Sequence, residues 1–285
     1  MREAKLLFNN LVKQLQPTYD DEEARSIVFI LLQHVLNLKK TDVLANRSLP
    51  PTFQADSLQA AMHRLIKHEP IQYVVGETDF YGRRFWVNPA VLIPRPETEE
   101  LVHRIVERYR LATQPIRMLD IGTGSGCIAV TLATELPQAN VSAWDISEAA
   151  LTVARKNADL HGVSVHFSKV DILQPHTWEH EHNFDCIVSN PPYVMRGEMP
   201  KMRPNVTDYE PHLALFVEDE SPLVFYESIA TFCQRHLSAD GQCYIEINEQ
   251  YGQEVQRLFE RKGFTDTEIH RDLFDKERFV RARRG

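Results

Sequence analysis

The stretch Ile116-Arg117-Met118-Leu119-Asp120-Ile121-Gly122-Thr123-Gly124-Ser125-Gly126-Cys127 decides the fold. Its first six residues read as a strand, mostly apolar and bounded by a turn signal. Three glycines in five residues then turn the chain, and residues 127–136 continue as a helix. Glycine tolerates positive φ and lets a ligand approach the backbone closely. The helix start adds free N–H groups. The pattern is GxGxG and not GxGxxG, because Cys127 stands where the third glycine of a dinucleotide site would be.

Asp145 ends the next strand, residues 141–145. It lies at about the distance downstream where an acidic residue meets a ribose hydroxyl. Gly122, Thr123, Gly124, Ser125 and Gly126 with Asp145 therefore point to a nucleoside-containing cofactor. The competing reading is a tight turn followed by a capping aspartate. After a third strand, residues 163–167, Asp171-Ile172 reads either as a cover for the adenine or as an exposed loop.

The alternation continues outward. Helices are expected at 149–160, 223–236 and 250–262, and strands at 184–188, 242–247, 265–270 and 277–282. Seven strands alternating with helices predict an α/β domain with a mostly parallel sheet, covered on both faces. The fourth strand ends in Ser189-Asn190-Pro191-Pro192-Tyr193. Each proline lacks an N–H and fixes its own φ, and each restricts the residue before it. The result is a stiff corner carrying an amide, bare carbonyls and an aromatic ring, suited to a planar hydrogen-bond donor. Its plainer reading is a turn that stops a strand. In a doubly wound sheet this corner faces the Gly122–Gly126 loop. A nucleoside cofactor beside an amide-binding corner suggests transfer to nitrogen.

Upstream, residues 1–75 form a helical unit with no glycine. Leu6, Leu7, Leu11, Val12 and Leu15 recur at helical spacing, as do Ala24, Ile27, Val28, Ile30, Leu31, Val35 and Leu36, and then Leu58, Ala61, Met62, Leu65 and Ile66. Asp20, Asp21 and Glu23 offer a cap and an acidic first turn. Pro50-Pro51-Thr52 breaks the chain. Residues 76–96 form a β-hairpin linker turning near Gly82, and residues 97–285 form the larger domain. Arg95 and Glu97 either face the site or begin a salt-bridged helix. Glu246, ending the fifth strand, is either a site hydrogen-bonding group or structural.

Net charge is -8, with 32 Lys+Arg against 40 Asp+Glu, which disfavours a broad phosphate-binding surface. No signal segment or membrane-length apolar run is present, and the four cysteines form no CxxC pair, so a reduced, cytoplasmic protein is expected. His176, His180 and His182 crowd one loop without metal-ligand spacing and read as solvated; no metal is expected.

Four motifs now carry a resemblance: EPIQYVVG at 69–76, FYGRRFWVNPAVLIPRPETEELV at 80–102, DIGTGSGCIAV at 120–130 and SNPPYV at 189–194. Together they resemble the protein-(glutamine-N5) methyltransferases that modify peptide chain release factors, the PrmC/HemK family. NPPY alone is shared with some DNA adenine and rRNA guanine N-methyltransferases. The IPRPETE linker and the helical domain point to the release-factor branch. Val170-Asp171-Ile172 lacks the aromatic found there in some relatives.

The resemblance implies a class I S-adenosylmethionine-dependent methyltransferase, Rossmann-like, with a small N-terminal domain that docks the substrate. It implies S-adenosylmethionine bound by the 122–126 loop, with Asp145 on the ribose, Asp171 and Ile172 at the adenine, and Asn190 beside the cofactor. The substrate implied is the glutamine amide of the Gly-Gly-Gln loop of release factors. Asn190, Pro191, Pro192 and Tyr193 would hold it. Asn190 and the Pro191 carbonyl would accept its hydrogens, and Tyr193 would pack on it. Two rival readings are a nucleic-acid exocyclic-amine methyltransferase acting on a flipped base and a non-catalytic module that keeps a vestigial cofactor fold.

Overall fold

A computed structural model describes residues 3–49, 55–179, 181 and 183–285. The expected break at Pro50-Pro51-Thr52 lies outside the described residues, as do His180 and His182. The chain divides into two compact units, Met1–Glu77 with Arg203–Tyr209, and Thr78–Met202 with Glu210–Gly285.

The first unit contains α1 (Ala4–Leu15), α2 (Asp21–Leu36), α3 (Lys40–Leu44), α4 (Ala55–Ile66) and α5 (Ile71–Val75). Asp20 caps α2 by accepting from Glu23 N at 2.8 Å, and Asp21, Glu22 and Glu23 complement the helix dipole. Leu7, Leu11, Leu15, Val28, Leu31 and Leu65 meet in its core. Leu6, Ile30 and Ile66, expected in the apolar stripes, are exposed at 48%, 43% and 44%. They sit at the margin of a stripe narrower than the sequence spacing suggests. Arg64 ties α4 to α5, with a bidentate pair to Glu69 and bonds to the carbonyls of Tyr73 and Val74. The segment 203–209 belongs to this unit through Tyr209 Oη, which donates to Lys67 O at 2.6 Å, and Arg203, which donates to both oxygens of Glu23.

A hairpin follows, β1 (Glu77–Phe80) and β2 (Arg83–Trp86), of which all but Glu77 belongs to the second unit. Tyr81 and Gly82 take positive φ, as a two-residue hairpin turn requires. The hairpin clusters with this unit, burying Phe80 and Phe85 in its core. There follow α6 (Pro96–Tyr109), β3 (Ile116–Ile121), α7 (Cys127–Glu135), β4 (Ala139–Asp145), α8 (Glu148–His161), β5 (His166–Lys169), β6 (Phe184–Ser189) and β7 (Val194–Met195). After α9 (Pro204–Thr207), a helix of the first unit, come β8 (Phe216–Val217), α10 (Val224–His236), β9 (Leu237–Glu246), α11 (Gly252–Arg261), β10 (Phe264–Arg271) and β11 (Glu277–Arg284).

The main sheet has seven strands in the order β10-β11-β9-β6-β3-β4-β5. Strands β5, β4, β3, β6 and β9 are parallel; β11 runs antiparallel to β9 and β10 to β11. The third parallel strand begins three residues later than the sequence reading: β5 starts at His166. Gly162 ends α8 at φ 64°, and Val163 N returns to Ala158 O at 3.1 Å, so 163–165 still complete the helix exit.

Period-two alternation divides the strands between two cores. Leu119, Ile121, Ile187 and Ile245 point to one, and Met118, Val188 and Tyr244 to the other, under α6 and α7. By the same alternation Asp120 and Glu246 fall on the second face, near the carboxyl ends of β3 and β9. Both are buried carboxyls, 0% and 1% exposed.

Candidate active site

The strand order reverses at β3, with β4 on one side and β6 on the other. This is the switch point where open α/β sheets place ligands. Ile121 pairs with Ser189, and Ser189 Oγ donates to Ile121 O at 2.7 Å. The Gly122 turn and the Asn190 corner therefore leave from adjacent strand ends. A cavity of about 220 Å³ lies over them. Of the residues singled out from the sequence, Gly122, Thr123, Gly124, Ser125, Asp145, Asp171, Ile172, Asn190, Pro191 and Pro192 line it.

Gly122 and Gly124 have φ of +76° and +55°, and a Cβ built on either meets no protein atom within 4 Å. The space above the turn is thus open to the cavity. Gly126 differs. It is not among the lining residues, and a Cβ there would sit 3.0 Å from Ala154 Cβ, so its bareness lets α7 pack on α8. Asp145 accepts from Gly124 N at 2.9 Å and Ser147 N at 2.8 Å, which ties the glycine turn to the end of β4. Burial raises its carboxyl pKa, and these amide donors oppose the rise. Asp171 folds its own loop by accepting from Leu173 N at 2.9 Å. Ile172 is held through its carbonyl by the indole of buried Trp178 at 3.1 Å. With Leu173, Phe225 and Ile229 it makes an apolar wall. Phe225 supplies an aromatic ring that the 170–172 segment lacks. Open backbone, two carboxylates and an apolar wall fit a nucleoside-bearing cofactor.

The other half of the site is a chain of hydrogen bonds. Thr98, in the first turn of α6 and 2% exposed, donates its hydroxyl to Glu246 Oε2 at 2.7 Å. Asn190 Nδ2 donates to Thr98 Oγ1 at 3.1 Å. Thr98 has one hydrogen and has given it to the carboxylate, so toward Asn190 it can only accept. This fixes the amide of Asn190 with its nitrogen held and its oxygen free for a donor. The second oxygen of Glu246 accepts from Tyr193 Oη at 3.1 Å. Burial raises the Glu246 pKa, and the hydroxyls of Thr98 and Tyr193 oppose that rise. Tyr193 is expected to face a bound amide. Instead its hydroxyl is committed to Glu246, its ring packs against a core cluster, and it is not among the cavity's lining residues.

Sequence reasoning missed three groups. Thr98 carries no motif signal beyond its place in IPRPETE. Buried Glu210 accepts from Arg95 Nη2 at 2.6 Å and Ile93 N at 3.1 Å, so Arg95 is salt-bridged at the cavity wall; Glu97 is not a lining residue. Asn157, fully buried within α8, donates to Ser125 O at 2.8 Å and Trp86 O at 3.0 Å and accepts from Trp86 N at 2.7 Å, fastening the glycine turn to the hairpin. Among the described residues no group of three or more His, Cys, Asp or Glu is placed to hold a metal, and no helix is long and apolar enough to cross a membrane.

Comparison with known proteins adds to this geometry. Residues 98–204 match the Methyltransferase small domain model and residues 7–76 the PrmC N-terminal domain model. The chain is 43% identical over 278 residues to the release factor glutamine methyltransferase of Flavobacterium psychrophilum, covering 95% of each chain. It is 42% identical to that of Bacteroides thetaiotaomicron, covering 95% of this chain and 97% of the relative. Among solved structures, a T. thermophilus 16S rRNA N2 G1207 methyltransferase with AdoMet and guanosine aligns with TM-score 0.54 at 18% identity, over 73% of this chain and 50% of that one. A methyltransferase from Pyrococcus furiosus aligns with TM-score 0.50 at 16% identity, over 82% and 100%. These two likenesses concern the fold: an α/β methyltransferase sheet.

Proposed function

The chain belongs to the release factor glutamine methyltransferases, and from that premise we propose that it methylates the side-chain amide nitrogen, N5, of the glutamine in the Gly-Gly-Gln loop of peptide chain release factors, with S-adenosylmethionine as cofactor. We place the reaction in the cytoplasm, where release factors act. The observation that carries the reading is the Glu246–Thr98–Asn190 chain, which presents a free amide oxygen beside a nucleoside-sized cavity.

When bound, the cofactor supplies a methyl group on a sulfonium, an electrophile that needs a nitrogen lone pair aligned with it. The turn from Gly122 to Ser125 would hold the methionine and ribose portions, Asp145 the ribose hydroxyls, and Asp171 and Ile172 the adenine side. An amide nitrogen is a poor nucleophile because its lone pair is delocalised into the carbonyl. Asn190 Oδ1 and the Pro191 carbonyl each accept one of its hydrogens. That holds the nitrogen with a face of its lone pair toward the methyl group and stabilises positive charge as it develops; the new N–C bond replaces the C–S bond of the sulfonium, and the nitrogen then gives up one of the two hydrogens as a proton. It is preorganised electrostatic stabilisation with acceptors in place of donors. Pro191 and Pro192 have no N–H to compete for the amide oxygen or to let the corner relax. Tyr193 acts through Glu246, as a positioning residue.

Thr98→Val tests the orienting chain. It removes Asn190's anchor and leaves a buried carboxylate oxygen unpaired. We expect kcat to fall roughly tenfold to a hundredfold, with cofactor affinity little changed and Thr98→Ser restoring most of the rate. An unchanged kcat in the valine variant would show that Asn190 needs no such anchor.

The function itself is tested by incubating the protein with methyl-labelled cofactor and a release factor, native or with the loop glutamine replaced. Label confined to the native protein is expected. Label on both, or on neither, would sink the glutamine assignment, and label on a DNA or RNA panel would favour an exocyclic-amine enzyme.

A further inference from the structure

The turn between β10 and β11 presents Leu273 and Phe274 to solvent, 86% and 78% exposed. Turns favour glycine, proline, asparagine, aspartate and serine, and here the flanking residues do that work. Asp272 accepts from Phe274 N at 2.9 Å, Lys276 N at 3.0 Å and Arg278 Nε at 3.1 Å. Asp272 N donates to Lys276 O, Asp275 N to Asp272 O, and Asp275 takes the positive φ. The two apolar side chains sit on a braced support.

The support overhangs the catalytic end of the sheet. Phe279 of β11 pairs with Glu246 of β9, so the turn preceding β11 projects past the strand end where Glu246 holds Thr98 and Tyr193. Leu273 N donates to Glu100 Oε1 at 3.3 Å, and Arg104 Nη2 to Arg271 O at 3.4 Å. Both partners lie on α6, the helix whose Thr98 anchors Asn190.

We propose that Leu273 and Phe274 form an apolar docking finger that seats against an apolar patch of the protein substrate flanking the target glutamine. This rests on the function proposed above. A glutamine offered to Asn190 brings its own polypeptide across the same rim. Its side chain alone offers only an amide and two methylenes, too little to distinguish one protein from another, so selection requires contact outside the corner. Adjacent exposed apolar side chains at the same end of the sheet, tied to the helix that carries Thr98, supply it.

The test uses the full-length enzyme carrying L273S and F274S together, with an intact release factor as substrate. KM for the release factor should rise about tenfold or more. The kcat at saturation should stay within about twofold. Cofactor affinity by calorimetry and the melting temperature should not move, and L273M with F274Y should retain wild-type KM. An unmoved KM overturns the proposal. So does a fall in kcat with cofactor affinity or melting temperature, which marks a structural role. Wild-type self-association abolished by the serine pair, with KM intact, would assign the finger to a second copy of this chain instead. Failure of the wild-type enzyme to methylate any release factor removes the functional reading itself, and is visible before any variant is made.

Discussion

Asn190→Ala lowers kcat by about a hundredfold to a thousandfold, the usual cost of deleting one preorganised group at a reacting centre, while cofactor affinity shifts only a few-fold. The asymmetry follows from the site's two halves. The glycine turn and Asp145 form one, cross-tied by the bond from Gly124 N to Asp145. Asn190 belongs to the other, through Thr98 and Glu246. Removing the amide deletes the acceptor proposed for the substrate nitrogen and leaves the first half intact. Single-turnover rates at saturating cofactor, set beside calorimetric affinities, separate the two. Equal losses in both would contradict the role given to Asn190. Asn190→Asp is no rescue, because Thr98 gives its one hydrogen to Glu246 and has none to offer a second carboxylate.

Asp120→Asn removes a pH-dependent loss of stability. Asp120 is fully buried, and burial pushes its carboxyl up to about 7, against the opposing hydrogen bonds from Thr123 and Ala129 and with a small addition from Asp145. Thr123 Oγ1 donates to Oδ2 at 2.6 Å and Ala129 N at 3.3 Å. Unfolded, the group ionises near 3.9. A folded value above the unfolded one means that its contribution is complete below about pH 4 and is lost as pH rises through about 7. The asparagine keeps an acceptor for Thr123 and Ala129 and does not titrate. The unfolding free energy of the wild type minus that of the variant should therefore fall by roughly 2–3 kcal/mol between pH 5 and 8. Urea denaturation at both pH values measures it. A difference that stays flat would mean that Asp120 is ionised throughout, despite its burial.

Much of the site was readable because it is local or follows from parallel-sheet topology. The strand, glycine turn and helix are contiguous, and Asp145 lies one βαβ unit away. A parallel sheet that reverses order at β3 brings the end of β6 next to the end of β3. Where reading failed, the deciding contact was distant. Thr98 meets Asn190 across 92 residues and Glu246 across 148. In local sequence it is one polar residue in an acidic helix start. Asn157 inside α8 looks like any helix residue until Trp86 and Ser125 arrive at it. Gly126 reads like its neighbours Gly122 and Gly124, yet Ala154 and not a ligand is what excludes its side chain.

By itself the sequence determined the α/β architecture, the position of the glycine turn, and the family, since strand periodicity, glycine spacing and the NPPY and IPRPETE motifs are written within short windows. Only the tertiary structure decided which way the Asn190 amide faces, that the Tyr193 hydroxyl serves Glu246 and not the cavity, and that Asp120 is a raised carboxyl. Each of these depends on which hydrogen-bond partner and how much water a side chain finds after folding, and those are properties of residues brought together from far along the chain.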